Sequence, residues 1–333
     1  MSQDATMFMH IPDFVFGYSA LGIAVGVVLC VAALVLLGFA IRWATKNLSQ
    51  SKVVIMAVLA AGIFALQAFN IPTGFGVSGH LVGGALAAIV LGSPFAAVFI
   101  LTIVLIIQAL IFGDGGVLAL GANIINMGFV AGCIGFYSFG LLKRKLPAGV
   151  SAGIAGWLAC VVAAAACAVE IAVVGAVPIT IGLPAMLIYH ALIGIVEGII
   201  TCVIVMLIFK VRPELAGNAE GKAVSLGKIA AAGLIAALVI GGCAVFFASS
   251  DPDGLDSTIL ISEGNKELLS DATSDEVAGE ANDPVQWNAP MPDYALGDSN
   301  AGGVIALVIG IVVVLGLIFA AATLARKSRE KKE

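Results

Sequence analysis

The sequence predicts an all-α polytopic membrane protein with about nine transmembrane helices. Hydrophobic residues make up 61% of the 333-residue chain and charged residues 11%, whereas a soluble domain has roughly 45–50% apolar residues. The apolar residues form separate runs, most of them close to the length of about 20 residues that spans a bilayer. Lys and Arg collect in alternate loops, as the positive-inside rule predicts for successive crossings.

Nine apolar runs, bounded by charged residues, Gly or Pro, are expected to form these helices. In chain order they cover residues 17–41, 53–69, 81–92, 95–112, 117–142, 150–175, 185–209, 226–248 and 303–324. The third run is too short to span a bilayer alone, and Pro94 follows it. Because Pro interrupts a helix, we expect residues 81–112 to form a tight helical hairpin with a short first arm. One long kinked helix is the alternative.

The basic residues predict which side of the membrane each loop occupies. Basic clusters lie at 42–52, 143–145, 210–222 and 326–332. The remaining loops, with one base in total, lie near 70–80, 113–116, 176–184 and 249–302. We therefore expect a multi-pass protein of the cell membrane with its N-terminus outside and its C-terminus in the cytoplasm. The scattered basic clusters do not form the continuous basic face that nucleic-acid binding requires.

Loop lengths divide the chain into two modules. We expect an N-terminal membrane module (residues 1–212), a cytoplasmic linker (213–225) and a C-terminal module (226–333) whose two helices flank an extracytoplasmic loop (249–302). That loop has twelve acids and one base, a net charge of -11. Most of its acids are expected to be simply solvated. Alternatively, the charge raises the local cation concentration.

The three histidines, His10, His80 and His190, are all expected on the outer side. His10 follows Met9. If Met9 is the functional first residue, its amine, the His10 amide and the His10 imidazole form two fused chelate rings, and His80 supplies a fourth nitrogen. A square plane of nitrogens favours nickel(II) or copper(II). Because eight residues precede Met9, either translation starts at Met9, or the extension is removed, or the site is built differently.

Polar residues around the glycine-rich segment that ends at His80 are further candidates. Irregular backbone at membrane depth is tolerated where it lines a site or is buried in protein. Polar groups inside spans often mark function, although Asn also joins packed helices. The supporting candidates are Asn70, Ser78, Asp114, Asn123, Asn126 and His190.

Five blocks of sequence together resemble the CbiM/NikM family, the cobalt/nickel substrate-capture (S) components of energy-coupling factor (ECF) transporters. The blocks are residues 9–13 (MHIPD), 78–85 (SGHLVGGA), 112–116 (FGDGG), 121–128 (GANIINMG) and 190–194 (HALIG). Residues 252–256 (PDGLD) resemble the companion PDGLE domain, with Asp256 in place of the usual Glu.

The resemblance implies a seven-helix S-component core followed by the two helices of the PDGLE domain. It implies that the metal ligands are Met9, His10 and His80. Nickel or cobalt would be the transported ligand, with no permanent cofactor, and import would supply cobalamin synthesis or a nickel enzyme. The proposed planar site slightly favours nickel.

The implied partners are a coupling transmembrane (T) subunit and ATP-binding cassette ATPase subunits, besides membrane lipid. The sequence has no GxxxxGK[ST] motif, which cradles nucleotide phosphates, so a partner would hydrolyse ATP and the chain itself would not be an enzyme.

Two other functions are compatible with parts of the sequence. Ser78 lies in a GxSG pattern, and an intramembrane serine protease could pair it with His190, provided that the two side chains are within hydrogen-bonding reach. A cation channel with an acidic outer mouth is the second alternative.

Overall fold

The computed structural model describes residues 10–217, 224–273, 287–297 and 299–330. These residues are almost entirely helical. The α-helices are α1 (Asp13–Gly17), α2 (Ala20–Asn47), α3 (Gln50–Gln67), α4 (Gly84–Leu91), α5 (Pro94–Ile107), α6 (Leu120–Asn123), α7 (Ala131–Leu142), α8 (Ala148–Val173), α9 (Ile179–Val211), α10 (Leu226–Phe247), α11 (Gly254–Glu263) and α12 (Asn300–Glu330).

Short elements of other kinds complete the fold. The π-helix Gln108–Phe112 extends α5, and the π-helix Ile124–Val130 joins α6 to α7. A small antiparallel sheet pairs β1 (Ile71–Pro72) with β2 (Ser78–Gly79). Two 3₁₀ turns are Pro213–Ala216 and Pro292–Tyr294.

Eight helical rods in the described residues are long and apolar enough to cross a membrane: α2, α3, α5 with its π-helix, α6 to α7, α8, α9, α10 and α12. The prediction of an all-α polytopic membrane protein is therefore confirmed. The third predicted run, residues 81–92, differs from the other eight. It forms α4, whose eight residues extend only about 12 Å at 1.5 Å per residue, so α4 cannot span a bilayer by itself.

The predicted hairpin begins with an extended segment rather than with a full helix. Residues 80–83 are not helical, and α4 follows them, buried along its whole length. At Gly92 the backbone has a φ of 76°, which favours glycine. The Ser93 hydroxyl then accepts a hydrogen bond from the N–H of Phe95 at 3.2 Å, which caps α5. Two helices therefore meet at a tight turn, and the single kinked helix is wrong.

Two buried side chains satisfy the extended segment. The backbone N–H groups of Val82 and Gly83 donate to the carboxylate of Glu197 in α9, at 2.7 and 3.1 Å. Gln67 in α3 donates from Nε2 to the carbonyl of Val82 at 3.0 Å. Because water is absent from the bilayer core, backbone groups there need partners within the protein. Glu197 and Gln67 supply those partners.

The helices of the C-terminal module pack directly on the N-terminal module. α10 and α12 both contact α3. A Cβ atom on Gly310 would lie 2.3 Å from the ring of Phe64, and one on Gly233 would lie 2.0 Å from Val58. Small residues permit such close approach between membrane helices.

Part of the outer segment of the C-terminal module is buried, although most of its described acids, Glu263, Glu267, Asp271 and Asp293, are exposed. Asp253 and Asp256 are 6% and 4% exposed. Asp253 caps α11, because one of its carboxylate oxygens accepts from the N–H groups of Leu255 and Asp256 at 2.7 and 2.9 Å. α11 packs on α9 and buries its apolar side. Composition alone obscured this helix among its acidic neighbours.

The same outer segment is joined to the loop that precedes His80. The Ser78 N–H donates to the carbonyl of Pro252 at 3.0 Å, and the Ser78 hydroxyl donates to the carbonyl of Asp251 at 2.6 Å. Lys266, the one base among residues 249–302, donates to the carbonyl of Gly76 at 2.5 Å. The C-terminal module therefore helps to hold the backbone that carries His80.

Replacing Glu197 with Ala is expected to destabilise the fold strongly. The change leaves the N–H groups of Val82 and Gly83 buried without their acceptor, and each such group costs about 1–3 kcal/mol. The loss should appear as a lower free energy of unfolding when the detergent-solubilised protein is titrated with denaturant. Glu267→Ala, which removes an exposed carboxylate, is the control. Equal stability of both variants would contradict the role given to Glu197.

Candidate metal-capture site

His10 and His80 meet on one face of the bundle. Their ring centroids are 5.0 Å apart, with an angle of 52° between the planes. His10 lies just before α1 and is 3% exposed, whereas His80 follows β2 and is partly buried. Neither residue belongs to a helix. Their positions therefore depend on contacts that hold the two non-helical segments.

Asp13 and Asn123 hold the segment that carries His10. The Asp13 carboxylate accepts three backbone hydrogen bonds from residues 117–119, at 2.8, 2.6 and 3.0 Å. The Asn123 amide pairs with the backbone of Ile11 in both directions at 3.1 Å. A Cβ atom on Gly116 would collide with Asp13 at 2.0 Å. These contacts explain why the Asp-Gly-Gly block and Asn123 occur together.

Asp114 orients the His10 ring. Its Oδ1 atom lies 2.9 Å from Nδ1 of His10, and its Oδ2 atom accepts a hydrogen bond from the hydroxyl of Tyr294. Burial favours the neutral acid, but the charge of His10 and these hydrogen bonds outweigh burial and hold the pKa of Asp114 below its usual value. An ionised Asp114 can only accept, so Nδ1 of His10 bears a hydrogen, and in the neutral form of the ring, the form that binds metal, the lone pair is on Nε2.

The Nε2 atom of His10 is buried and has no hydrogen-bond partner among the described residues. A buried polar atom without a partner is costly, so its presence beside another imidazole points to a ligand. The His80 ring has its Nδ1 atom 3.2 Å from the carbonyl of Leu81 and its Nε2 atom 3.9 Å from Oδ2 of Asp253. Burial raises the pKa of Asp253 to about 6, which leaves the carboxylate mostly ionised at neutral pH.

The remaining supporting candidates have other partners. Asn126 donates to Glu170 at 2.6 Å, and Nδ1 of His190 lies 2.9 Å from the carbonyl of Met186, one turn earlier in α9. Asn70 is buried, and its carbonyl accepts from Ser249. The structure thus brings Asp114 and Asn123 to the histidine pair, whereas no hydrogen bond within the described residues joins Asn126 or His190 to it.

The serine protease arrangement is not formed. The Ser78 hydroxyl donates to the carbonyl of Asp251, and His190 bonds within its own helix. No hydrogen bond in the described part of the chain joins Ser78 to His190.

Two contacts of the histidine site were not predicted from the sequence, although Asp253 belongs to the PDGLD block at residues 252–256. Tyr294 reaches Asp114 across 180 positions of sequence, and Asp253 reaches His80 from the start of α11. Neither long-range contact leaves a local spacing pattern. Asp13 belongs to the MHIPD block, which the sequence indicated, but its hydrogen bonds to residues 117–119 were not predicted.

The predicted metal ligands form only part of a coordination shell here. Met9 lies outside the described residues. Within the described ranges, no three His, Cys, Asp or Glu side chains are arranged to hold a metal ion. The fused chelate would use Nδ1 of His10, the nitrogen that now faces Asp114. Formation of that chelate therefore requires the contact with Asp114 to break, whereas no hydrogen bond from a described residue occupies Nε2.

Comparison with known proteins gives matches to two families. Residues 10–215 match the sequence model of CbiM, the cobalt uptake substrate-specific transmembrane region, and residues 227–327 match the PDGLE domain.

Full-length relatives share the two-module arrangement. An Archaeoglobus fulgidus protein, provisionally named fused nickel transport protein NikMN, is 36% identical over 322 residues, which cover 96% of this chain and 99% of the relative. The fused nickel transport protein NikMN of Rhodobacter capsulatus is 29% identical over 338 residues, which cover 92% of this chain and 95% of that protein.

A solved structure supports the same assignment. The crystal structure of a transition metal transporter is 35% identical, has a TM-score of 0.54, and is matched over 61% of this chain and 93% of its own length. The chain therefore belongs to the CbiM family, carries a PDGLE domain after its CbiM region, and is a multi-pass membrane transport protein rather than an enzyme.

Proposed function

We propose that the chain is the membrane substrate-binding subunit of an ATP-driven ECF importer for nickel or cobalt ions. The observation that carries the proposal is the buried Nε2 atom of His10, which has no hydrogen-bond partner in the part of the chain that the structure describes and lies beside the imidazole of His80. Imidazole nitrogen suits divalent transition metals, whereas magnesium and calcium prefer oxygen. The names of the relatives, nickel transport proteins, agree with this class of ion.

The capture step would occur at the outer face. His10 and His80 bind the ion, and the amine of Met9 joins them if the mature chain begins there. In that case the ion also competes with Asp114 for the His10 ring, because the chelate and the Asp114 contact use the same nitrogen. A planar set of nitrogens favours nickel over cobalt. A channel, the alternative, has no need for a buried open ligand.

The transport step would require partners. The chain has no nucleotide-binding GxxxxGK[ST] motif, so ATP-binding cassette subunits hydrolyse ATP and a coupling T subunit transmits the change. The imported metal would supply cobalamin synthesis or a nickel enzyme. In this scheme residues 1–212 capture the metal, 213–225 form a cytoplasmic linker, and 226–333 form the PDGLE module, with the N-terminus outside.

Replacing His80 with Gln is expected to lower the affinity of the purified chain for Ni²⁺ and Co²⁺ by at least about 100-fold, because one of its imidazole ligands is lost. Equilibrium dialysis with each ion measures the change, with the N-terminal residue identified by mass on the same sample. His190→Gln is the matched control, since His190 bonds to Met186 in its own helix. Unchanged affinity in His80→Gln, or an equal loss in both variants, would contradict the site.

The membrane orientation is tested by introducing one additional cysteine at a time into a loop. Asp271→Cys should react with a membrane-impermeant maleimide on intact cells, whereas Arg144→Cys should react only after the membrane is opened, because basic loops stay in the cytoplasm. Both positions are exposed in the structure. The native chain, whose six cysteines all lie in helices that cross the bundle, gives the background. The reverse labelling pattern would overturn the proposed orientation.

A further inference from the structure

The C-terminal module reaches the candidate site at two separate points. Asp253 lies beside His80, and Tyr294 lies beside Asp114. Both residues are buried, at 6% and 8% exposure. The site is therefore surrounded by groups from both modules, and the second module contributes a carboxylate and a hydroxyl.

Asp253 divides its two oxygens between two tasks. Its Oδ1 atom accepts the two hydrogen bonds that cap α11, while its Oδ2 atom turns toward Nε2 of His80. Because Nδ1 of His80 faces the carbonyl of Leu81, an acceptor, Nδ1 bears the hydrogen in the neutral ring, which places the lone pair on Nε2. The carboxylate thus lies on the metal-binding side of the ring. The separation of 3.9 Å is too long for a hydrogen bond. Two atoms that are each about 2 Å from one ion are this far apart only when they lie on nearly opposite sides of it, so His80 and Asp253 would be ligands on opposite sides of the ion.

Tyr294 is linked to the histidine pair through Asp114. Its ring stacks on Phe112, with centroids 4.7 Å apart and planes inclined by 15°. Its hydroxyl accepts from Nε2 of Gln108 at 3.0 Å and donates to Oδ2 of Asp114. With one oxygen of Asp114 occupied in this way, the other is turned to Nδ1 of His10.

We propose that the PDGLE module completes the capture site, with Asp253 as a carboxylate ligand for the ion bound by His80 and with Tyr294 as a positioning residue that acts through Asp114 on His10. This inference rests on the proposed function and extends it to the second module.

Charge balance gives a physical reason for this arrangement. A divalent ion loses much of its hydration when it enters a buried site, and buried charge is tolerated where opposite charge is close by. Imidazoles bind as neutral ligands. Asp253 and Asp114 supply two negative charges around the histidine pair, and both are buried. The site therefore matches a dehydrated divalent transition-metal cation better than the two imidazoles would by themselves.

Asp253→Asn in the full chain tests the proposed ligand. Asn is as good a helix N-cap as Asp, so α11 is retained while the charged oxygen is lost. We expect Ni²⁺ and Co²⁺ affinity to fall about 10–100-fold, and the visible absorption of the Co²⁺-loaded protein to change. Asp251→Asn is the matched control, because the Asp251 carboxylate bonds to Ser249; its affinity and spectrum should equal those of the unaltered chain.

A second variant guards against a folding defect. The metal-free Asp253→Asn protein could unfold at a lower temperature than Asp251→Asn. In that case Asp253→Ser provides another strong N-cap without the carboxylate. A changed Co²⁺ spectrum in Asp253→Ser would then support Asp253 as a ligand. An unchanged spectrum and affinity in the folded variants would overturn the ligand role of Asp253.

Tyr294→Phe tests the positioning role. The stacking on Phe112 is retained and the hydroxyl is lost. We expect the ¹⁵N resonances of His10 in the metal-free protein to show a changed tautomer population, and metal affinity to fall about 10-fold. Tyr189→Phe is the matched control, since the Tyr189 hydroxyl accepts from the N–H of Leu269, away from the histidine pair. Unchanged His10 resonances would overturn this role.

His80→Gln, measured in parallel, distinguishes the proposed capture function from the proposed role of the PDGLE module. If the unaltered chain binds neither ion, or binds without His80, the proposed function fails. If binding requires His80 while the Asp253 and Tyr294 variants behave like their controls, the capture function stands and the role of the PDGLE module fails.

Discussion

The structure depends on how a non-helical backbone is satisfied inside a bundle of membrane helices. His80 is carried by a segment that leaves the β-pair and enters the bundle before α4 begins. The N–H groups of Val82 and Gly83 donate hydrogen bonds to the carboxylate of Glu197, and the carbonyl of Val82 accepts one from Gln67. A complete helix would satisfy these groups internally, but it would not place an imidazole at this turn. Glu197 thus permits the irregular backbone that the site requires.

The segment that carries His10 follows the same principle with different residues. Asp13 collects three backbone N–H groups of the loop before α6, and Asn123 pairs with the backbone of Ile11. Both histidines are therefore held by side chains of neighbouring segments rather than by their own helices.

Local patterns in the sequence were sufficient to predict much of the fold and the position of the histidine site. Apolar run lengths predicted the membrane helices, Pro94 predicted the turn before α5, and the histidines with their flanking blocks indicated where a site lies. The short α4 could be expected from its run, but the acceptor Glu197 could not, because it lies 115 positions from Val82. Tyr294 and Asp253 were missed for the same reason: contacts between distant segments leave no periodicity in a single chain.

The acidic segment contains an exception to what its composition predicts. Twelve acids lie among residues 249–302, and this composition predicts that most of their side chains are solvated. Asp253 departs from it because a single carboxylate can cap a helix and face a buried ring at the same time. A helix cap fixes the position of its side chain to within the geometry of two hydrogen bonds. The C-terminal module therefore places a charge beside His80 more firmly than a solvated acidic loop could, and the boundary between the modules in sequence is not a boundary of the site.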